Sequence, residues 1–212
     1  MEILVNPLTA RDQAGPHADL CSALAKLLLR ERLQLATAES CTGGLIAAAC
    51  TDLSGSSNWF ERGFVTYSNA AKTEMLGVAE ELVQRHGAVS EEVVRAMVQG
   101  ALAHSRAQVA VAVTGVAGPT GGNVAKPVGT VWFGWNVRGK VHAQIQHFGG
   151  DRAAVRAATV QHALQHLLVL LGMTARMIEN RLIDQRFRNA HPLHFHSRPE
   201  FVYTLHEGKL AV

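Results

Sequence analysis

Residues 109–115 read VAVAVTG, five apolar side chains in succession followed by a threonine and a glycine. A strand exposed on one face alternates apolar with polar residues, whereas an unbroken apolar run of strand length belongs to a strand covered on both faces. The stretch therefore predicts an inner strand of a sheet with helices on either side. Downstream, GVAGPTGGNVAKP (115–127) holds four glycines and two prolines and predicts a loop. VGTVWFGWNV (128–137), RGK (138–140) and VHAQIQHF (141–148) read as a hairpin, and a helix is expected from Asp151 to about Leu171.

Upstream, Ser90 followed by Glu91 and Glu92 marks a helix start, with acids in the first turn where the helix dipole favours them. That helix is expected to run to about His104. GFVTYS (63–68) predicts a short strand, and NAAKTEMLG (69–77) a helix capped by Asn69 and ended by Gly77. SGSSNW (54–59) is turn chemistry, the segment near 33–38 predicts a strand, and the leucine stripe in HADLCSALAKLLLRER (17–32) predicts a helix. Strands alternating with helices, plus one hairpin, give the α/β class with a mixed sheet covered on both sides. In such sheets the sites occupy the loops at strand ends. The chain carries no internal repeat.

At 212 residues, 48% hydrophobic and 17% charged, the chain has the size and composition of one globular domain with an appendage. We place the domain at 1–172 and an arm at 173–212. The net charge of +3 is small, and the one arginine-rich stretch, 176–188, is interleaved with Glu179 and Asp184, which predicts a solvated helix face and no nucleic-acid partner. No segment has the roughly 20 apolar residues of a membrane span. MEILV (1–5) lacks a basic start and soon meets Asn6 and Pro7, so no signal peptide is expected. Cys21, Cys41 and Cys50 are odd in number and lack C-x-x-C spacing, which points to a reducing cytoplasm.

The groups that could do chemistry cluster in TAESCTGGL (37–45), between a predicted strand and a predicted helix. Ser40 and Thr42 are favoured helix caps. Equally, the bend could expose Ser40 as a nucleophile where helix amides stabilise a developing negative charge. A serine needs a base, and a lysine serves when burial or a neighbouring cation lowers its pKa. YSNAAK (67–72) supplies Lys72 and the phenol of Tyr67; the alternative is a surface lysine. Their spacing is one residue longer than the Tyr-x-x-x-Lys of short-chain dehydrogenases, and no G-x-G-x-x-G lies near the N-terminus, which argues against a dinucleotide oxidoreductase. Cys41 is the better intrinsic nucleophile but also the kind of small side chain that cores bury.

Six blocks, TAESCTGGL, GSSNWFERGFVTYSNAAK, GAVSEEVV, VTGVAGPTGG, KPVGTVWFG and FGGDRAAVR, resemble in order the signatures of the CinA C-terminal domain family, over about residues 17–171. The resemblance implies a three-layer α/β/α sandwich. It also implies hydrolysis of the carboxamide of nicotinamide mononucleotide to nicotinic acid mononucleotide and ammonia, with neither metal nor organic cofactor. By motif, Ser40 is the nucleophile and Tyr67 and Lys72 its partners. Thr42, Gly43, Gly44, Thr114, Gly115 and Arg152 fall at the substrate site, with Gly43 and Gly44 allowing close approach to backbone amides. Arg152 suits a phosphate clamp, with Lys126 as a further candidate cation, unless it is a helix-start arginine paired with Asp151. Family paralogues without amidase activity leave a second reading, a non-catalytic nucleotide-binding, competence-associated protein; the joint presence of Ser40, Tyr67 and Lys72 favours the enzyme.

Residues 173–212 have no counterpart in the family pattern. Met173, Met177, Ile178, Leu182, Ile183 and Phe187 recur at helical spacing, and FVYTLHEGKLAV reads as a small hairpin turning at Glu207–Gly208. Ordering such an arm costs about 1–2 kcal/mol per residue, which predicts burial against a partner subunit in a homo-oligomer, most simply a two-fold dimer. His191, His194 and His196 lack the carboxylate or cysteine that would complete a metal set.

Overall fold

A computed structural model describes residues 15–172, so the helix, hairpin and histidines of the expected arm lie outside the described residues. The elements follow as α1 (Ala18–Glu31), β1 (Leu35–Glu39), α2 (Leu45–Thr51), β2 (Phe60–Val65), α3 (Asn69–Leu76), α4 (Glu80–His86), α5 (Glu91–Ala103), β3 (Val109–Gly115), β4 (Thr130–Val137), β5 (Lys140–His147) and α6 (Arg152–Leu170), with a 3-10 turn at Ser56–Asn58.

The five strands form one mixed sheet in the order β2-β1-β3-β4-β5. β1 runs parallel to both β2 and β3, and β4 and β5 continue antiparallel. The chain leaves β1 through α2 to reach β2, then returns past β1 through α3, α4 and α5 to reach β3. Right-handed crossovers that run in opposite directions place their helices on opposite faces of a sheet. Accordingly α1, α2 and α6 pack together on one face and α3, α4 and α5 on the other, which makes the three-layer sandwich.

β3 is buried along its length up to Thr114, as its apolar run requires. Val109, Val111 and Val113 join the core beneath α1, α2 and α6, while Ala110 and Ala112 face α5. Small residues on that face let α5 come close. A Cβ on Gly134 of β4 would stand 2.8 Å from the Val94 carbonyl oxygen of α5, and one on Gly100 would strike the Leu76 carbonyl at the end of α3. On the other face Trp135 donates its indole N–H to the Ala163 carbonyl at 3.1 Å, fixing α6 over β4. Each fully buried Val, Leu or Phe contributes about 1.5–3 kcal/mol, and these two apolar layers hold the fold.

The local signals are realised with two corrections. Ser90 and Asp151 cap α5 and α6, accepting from the amides of Val93 and Ala154, and Gly77 ends α3 in the left-handed conformation. The hairpin turns at Arg138 and Gly139, both at positive φ, a geometry that matches the twist of the flanking strands. The strand expected at 63–68 instead spans Phe60–Val65, and Ser68 rather than Asn69 caps α3, its hydroxyl accepting from Ala71 N at 3.0 Å. Sequence reading also missed α4, whose seven residues start without a side-chain cap.

Candidate active site

The C-terminal ends of the three parallel strands converge. Ser40 N donates to the Val113 carbonyl and Thr66 N to the Glu39 carbonyl, so the pairing of β1 with its neighbours extends to the first residues of the loops. Above these ends lies a cavity of about 220 Å³. Ser40, Tyr67, Lys72, Thr114, Gly115 and Arg152 line it, six of the nine residues nominated by the sequence.

Ser40 is not a helix cap. Its hydroxyl meets Lys72 Nζ at 3.2 Å. Lys72 is 1% exposed, and its remaining partners are the carbonyls of Thr66 at 3.0 Å and Ser68 at 3.4 Å. The surface-lysine alternative is thereby excluded. No acidic group pairs with this amine among the described residues, and burial pushes its pKa below the ordinary lysine value. Such a lysine can stand neutral and accept a proton.

Ser40 and Cys41, the first two residues after β1, meet different surroundings. Ser40 meets α3, whereas Cys41, which also borders the cavity, packs in the apolar core under α1, α2 and α6. Burial raises the Cys41 thiol pKa to about 12, which keeps it protonated and a poor nucleophile.

Thr42, Gly43 and Gly44 do not line the cavity; they shape the bend. Glu39, fully buried at the end of β1, accepts from Thr42 Oγ1 at 2.7 Å, Gly44 N at 3.1 Å, Ile46 N at 2.9 Å and Ala47 N at 2.8 Å. Its carboxylate therefore does the capping expected of Ser40 or Thr42. The Gly43 amide is bonded to the Ser40 carbonyl, so both glycine amides are occupied within the loop. Their φ values, 60° for Gly43 and 96° for Gly44, explain the residue type: the bend needs the left-handed region twice. Sequence reading missed Glu39. The available signal was a carboxylate closing the buried strand LATAE, immediately before a helix start whose free amides need an acceptor.

Thr114 donates to the Ala88 carbonyl at 2.8 Å, tying β3 to the loop before α5. Tyr67 is 61% exposed at the rim, and its hydroxyl accepts from Arg152 Nη2 at 3.1 Å. Arg152 Nη1 donates to the Gly118 carbonyl at 2.9 Å. Arg152 is not paired with Asp151, whose carboxylate caps α6. Lys126 donates to the His86 carbonyl at 3.0 Å and does not line the cavity. A second arginine, Arg156, also missed, donates from Nη2 to the Thr42 carbonyl at 2.7 Å. Among the described residues no three His, Cys, Asp or Glu side chains are grouped to hold a metal ion, and no helix is long and apolar enough to cross a membrane.

The chain is 57% identical over 155 residues to the nicotinamide-nucleotide amidohydrolase PncC of Pseudomonas putida, a match covering 73% of this chain and 97% of that protein. Over 132 residues it is 57% identical to the protein of the same name from Escherichia coli K12, covering 62% of this chain and 80% of the relative. Among solved structures, the competence damage-inducible protein A of Klebsiella pneumoniae superposes with a TM-score of 0.70 at 41% identity, covering 74% of this chain and 98% of the other. The CinA C-terminal domain model matches residues 17–171, which span every strand and helix described above. By that match, and by the shared arrangement of its sheet and layers, this chain belongs to the CinA C-terminal domain family.

Proposed function

We propose that the chain is a nicotinamide-nucleotide amidohydrolase, releasing ammonia from the carboxamide of nicotinamide mononucleotide through Ser40 and Lys72. The observation that carries the mechanism is the buried amine of Lys72, without an acidic partner among the described residues, 3.2 Å from the Ser40 hydroxyl. The names of the similar amidohydrolases supply the substrate.

Ser40 Oγ attacks the carboxamide carbon as its proton passes to Lys72 Nζ. The new ammonium stands beside the tetrahedral oxyanion, and charge stabilisation is strong where water is excluded. Lys72 then returns the proton to the departing nitrogen, the C–N bond breaks, and ammonia leaves an acyl ester on Ser40. Water attacks the ester and gives one proton to Lys72, which passes it to Ser40 Oγ as the ester bond breaks; the product leaves as the carboxylate once its acid proton passes to solvent. The Thr66 and Ser68 carbonyls hold Nζ in place through both halves. Tyr67, at the cavity rim, orients Arg152, and Arg152 binds the substrate's phosphate as a fork of donors.

Ammonia release from nicotinamide mononucleotide by the purified protein tests this reading. Ser40→Ala should abolish it and Cys41→Ala should retain most of it. An inert wild type that still binds the nucleotide would instead support the non-catalytic, competence-associated reading. We also read the protein as cytoplasmic and homo-oligomeric. Its three cysteines, free and buried, suit a reducing compartment.

A further inference from the structure

A second hollow, of about 650 Å³, adjoins the Ser40 cavity and shares Ala117 and Arg152 with it. Its own lining adds Pro119, Val128, Asp151 and Arg156. Arg152 and Arg156 stand four residues apart on α6, so they share one face at its first turns. Each brings a guanidinium, a planar cationic fork, to the lining. The one acid in the lining, Asp151, has a carboxylate oxygen engaged by the Ala154 amide. The hollow is therefore cationic, and Ser40 does not line it.

Arg156 is incompletely satisfied. Nη2 donates to the Thr42 carbonyl, but Nε is buried without a partner. A buried guanidinium donor left without an acceptor is costly, and a planar fork beside a roomy cationic hollow matches a phosphate. Its bonded edge leads to Thr42, two residues beyond Ser40.

We propose that Arg156 is a second ligand of the substrate's phosphate beside Arg152, and that its bond to the Thr42 carbonyl couples phosphate occupancy to the loop that carries Ser40. This rests on the amidohydrolase reading. The carboxamide occupies the Ser40 cavity, the ribose passes Arg152, and the phosphate fills the adjoining hollow. Binding energy from this non-reacting end then supports the chemistry at the other. The phosphate acts as an activator as well as an anchor.

The test separates the substrate into pieces. Wild-type protein is assayed for ammonia release from nicotinamide mononucleotide, from nicotinamide riboside, and from the riboside with added phosphite dianion. Phosphite should raise riboside turnover saturably, and Arg156→Gln should lower the mononucleotide-to-riboside ratio of kcat/KM by about 10- to 100-fold, the loss of one charge-assisted contact. Arg156→Lys, which keeps the charge without the fork, should fall between. The phosphite arm needs no variant and stands even if Arg156→Gln does not fold. Ammonia from the mononucleotide, with no phosphite activation and an unchanged ratio in Arg156→Gln, overturns this inference and leaves the amidohydrolase reading intact. No ammonia from either substrate overturns both.

Discussion

Lys72 is the residue in which stability and chemistry oppose each other. Burial holds its pKa below that of a free lysine, so the unfolded chain binds the proton more tightly than the folded one. Between the folded and unfolded values stability rises with pH, and below the folded value the full cost of a buried charge is present. Lys72→Met removes that cost. Thermal melts should show the variant more stable than the parent, by a margin largest in acid and shrinking as pH approaches the ordinary lysine value of 10.5. Its kcat for ammonia release should meanwhile fall about 100- to 10,000-fold, the range of general-base contributions. A fully active Lys72→Met would end the Ser–Lys mechanism. Glu39 makes the complementary case, a buried carboxylate whose four contacts all come from donors. In Glu39→Gln the side-chain NH₂ must confront a backbone N–H, which costs about 1–3 kcal/mol. Denaturant titration should register that loss together with a lower kcat, because the same contacts shape the bend behind Ser40. An unchanged kcat would confine Glu39 to capping α2.

Among the elements, α6 joins the site to the sheet. Its first turns carry Arg152 and Arg156, and its middle packs His162 against Phe133 at a ring-centroid distance of 4.7 Å. Burial, with His166 beside it, lowers the His162 pKa to about 4 from an ordinary 6.5. The unfolded chain therefore takes up a proton that the folded one refuses, and this contribution to stability, complete above pH 6.5, is lost as pH falls toward about 4. His162→Gln should make the decline in melting temperature across that interval shallower. A decline as steep as the parent's would assign the acid sensitivity to other groups. The opposite layer depends on close approach. Gly100→Ala places a methyl group against the Leu76 carbonyl, so α5 and α3 must separate. Thermal unfolding should report a loss of about 1–3 kcal/mol, the usual cost of overpacking.

For the whole molecule, the described residues already form both helical layers and the sheet between them. The expected oligomer rests on residues 173–212, whose apolar positions need a surface to cover them. Deleting them should reduce the mass measured by light scattering to that of a single subunit. A truncated protein with unchanged mass and melting temperature would make the arm a dispensable appendage.

VAVAVTG revealed its double coverage because a strand covered on both faces reads as a near-continuous apolar run wherever it lies in the sheet. Ser90, Asp151 and Gly77 announced helix ends because a cap bonds within one turn of itself. The six family blocks marked Ser40, Lys72 and Arg152 as residues of interest, but their contacts were not legible. Ser40 meets Lys72 across 32 residues, Arg152 meets Tyr67 across 85, and Arg156 reaches Thr42 across 114. Pairs so distant exist only once strand order and crossover direction decide which helix covers which face. Ser40 and Cys41 are adjacent in the sequence just beyond β1, yet they meet different surroundings. That one meets a buried amine and the other an apolar core is a property of the folded sheet, and it is what separates the nucleophile from the inert thiol.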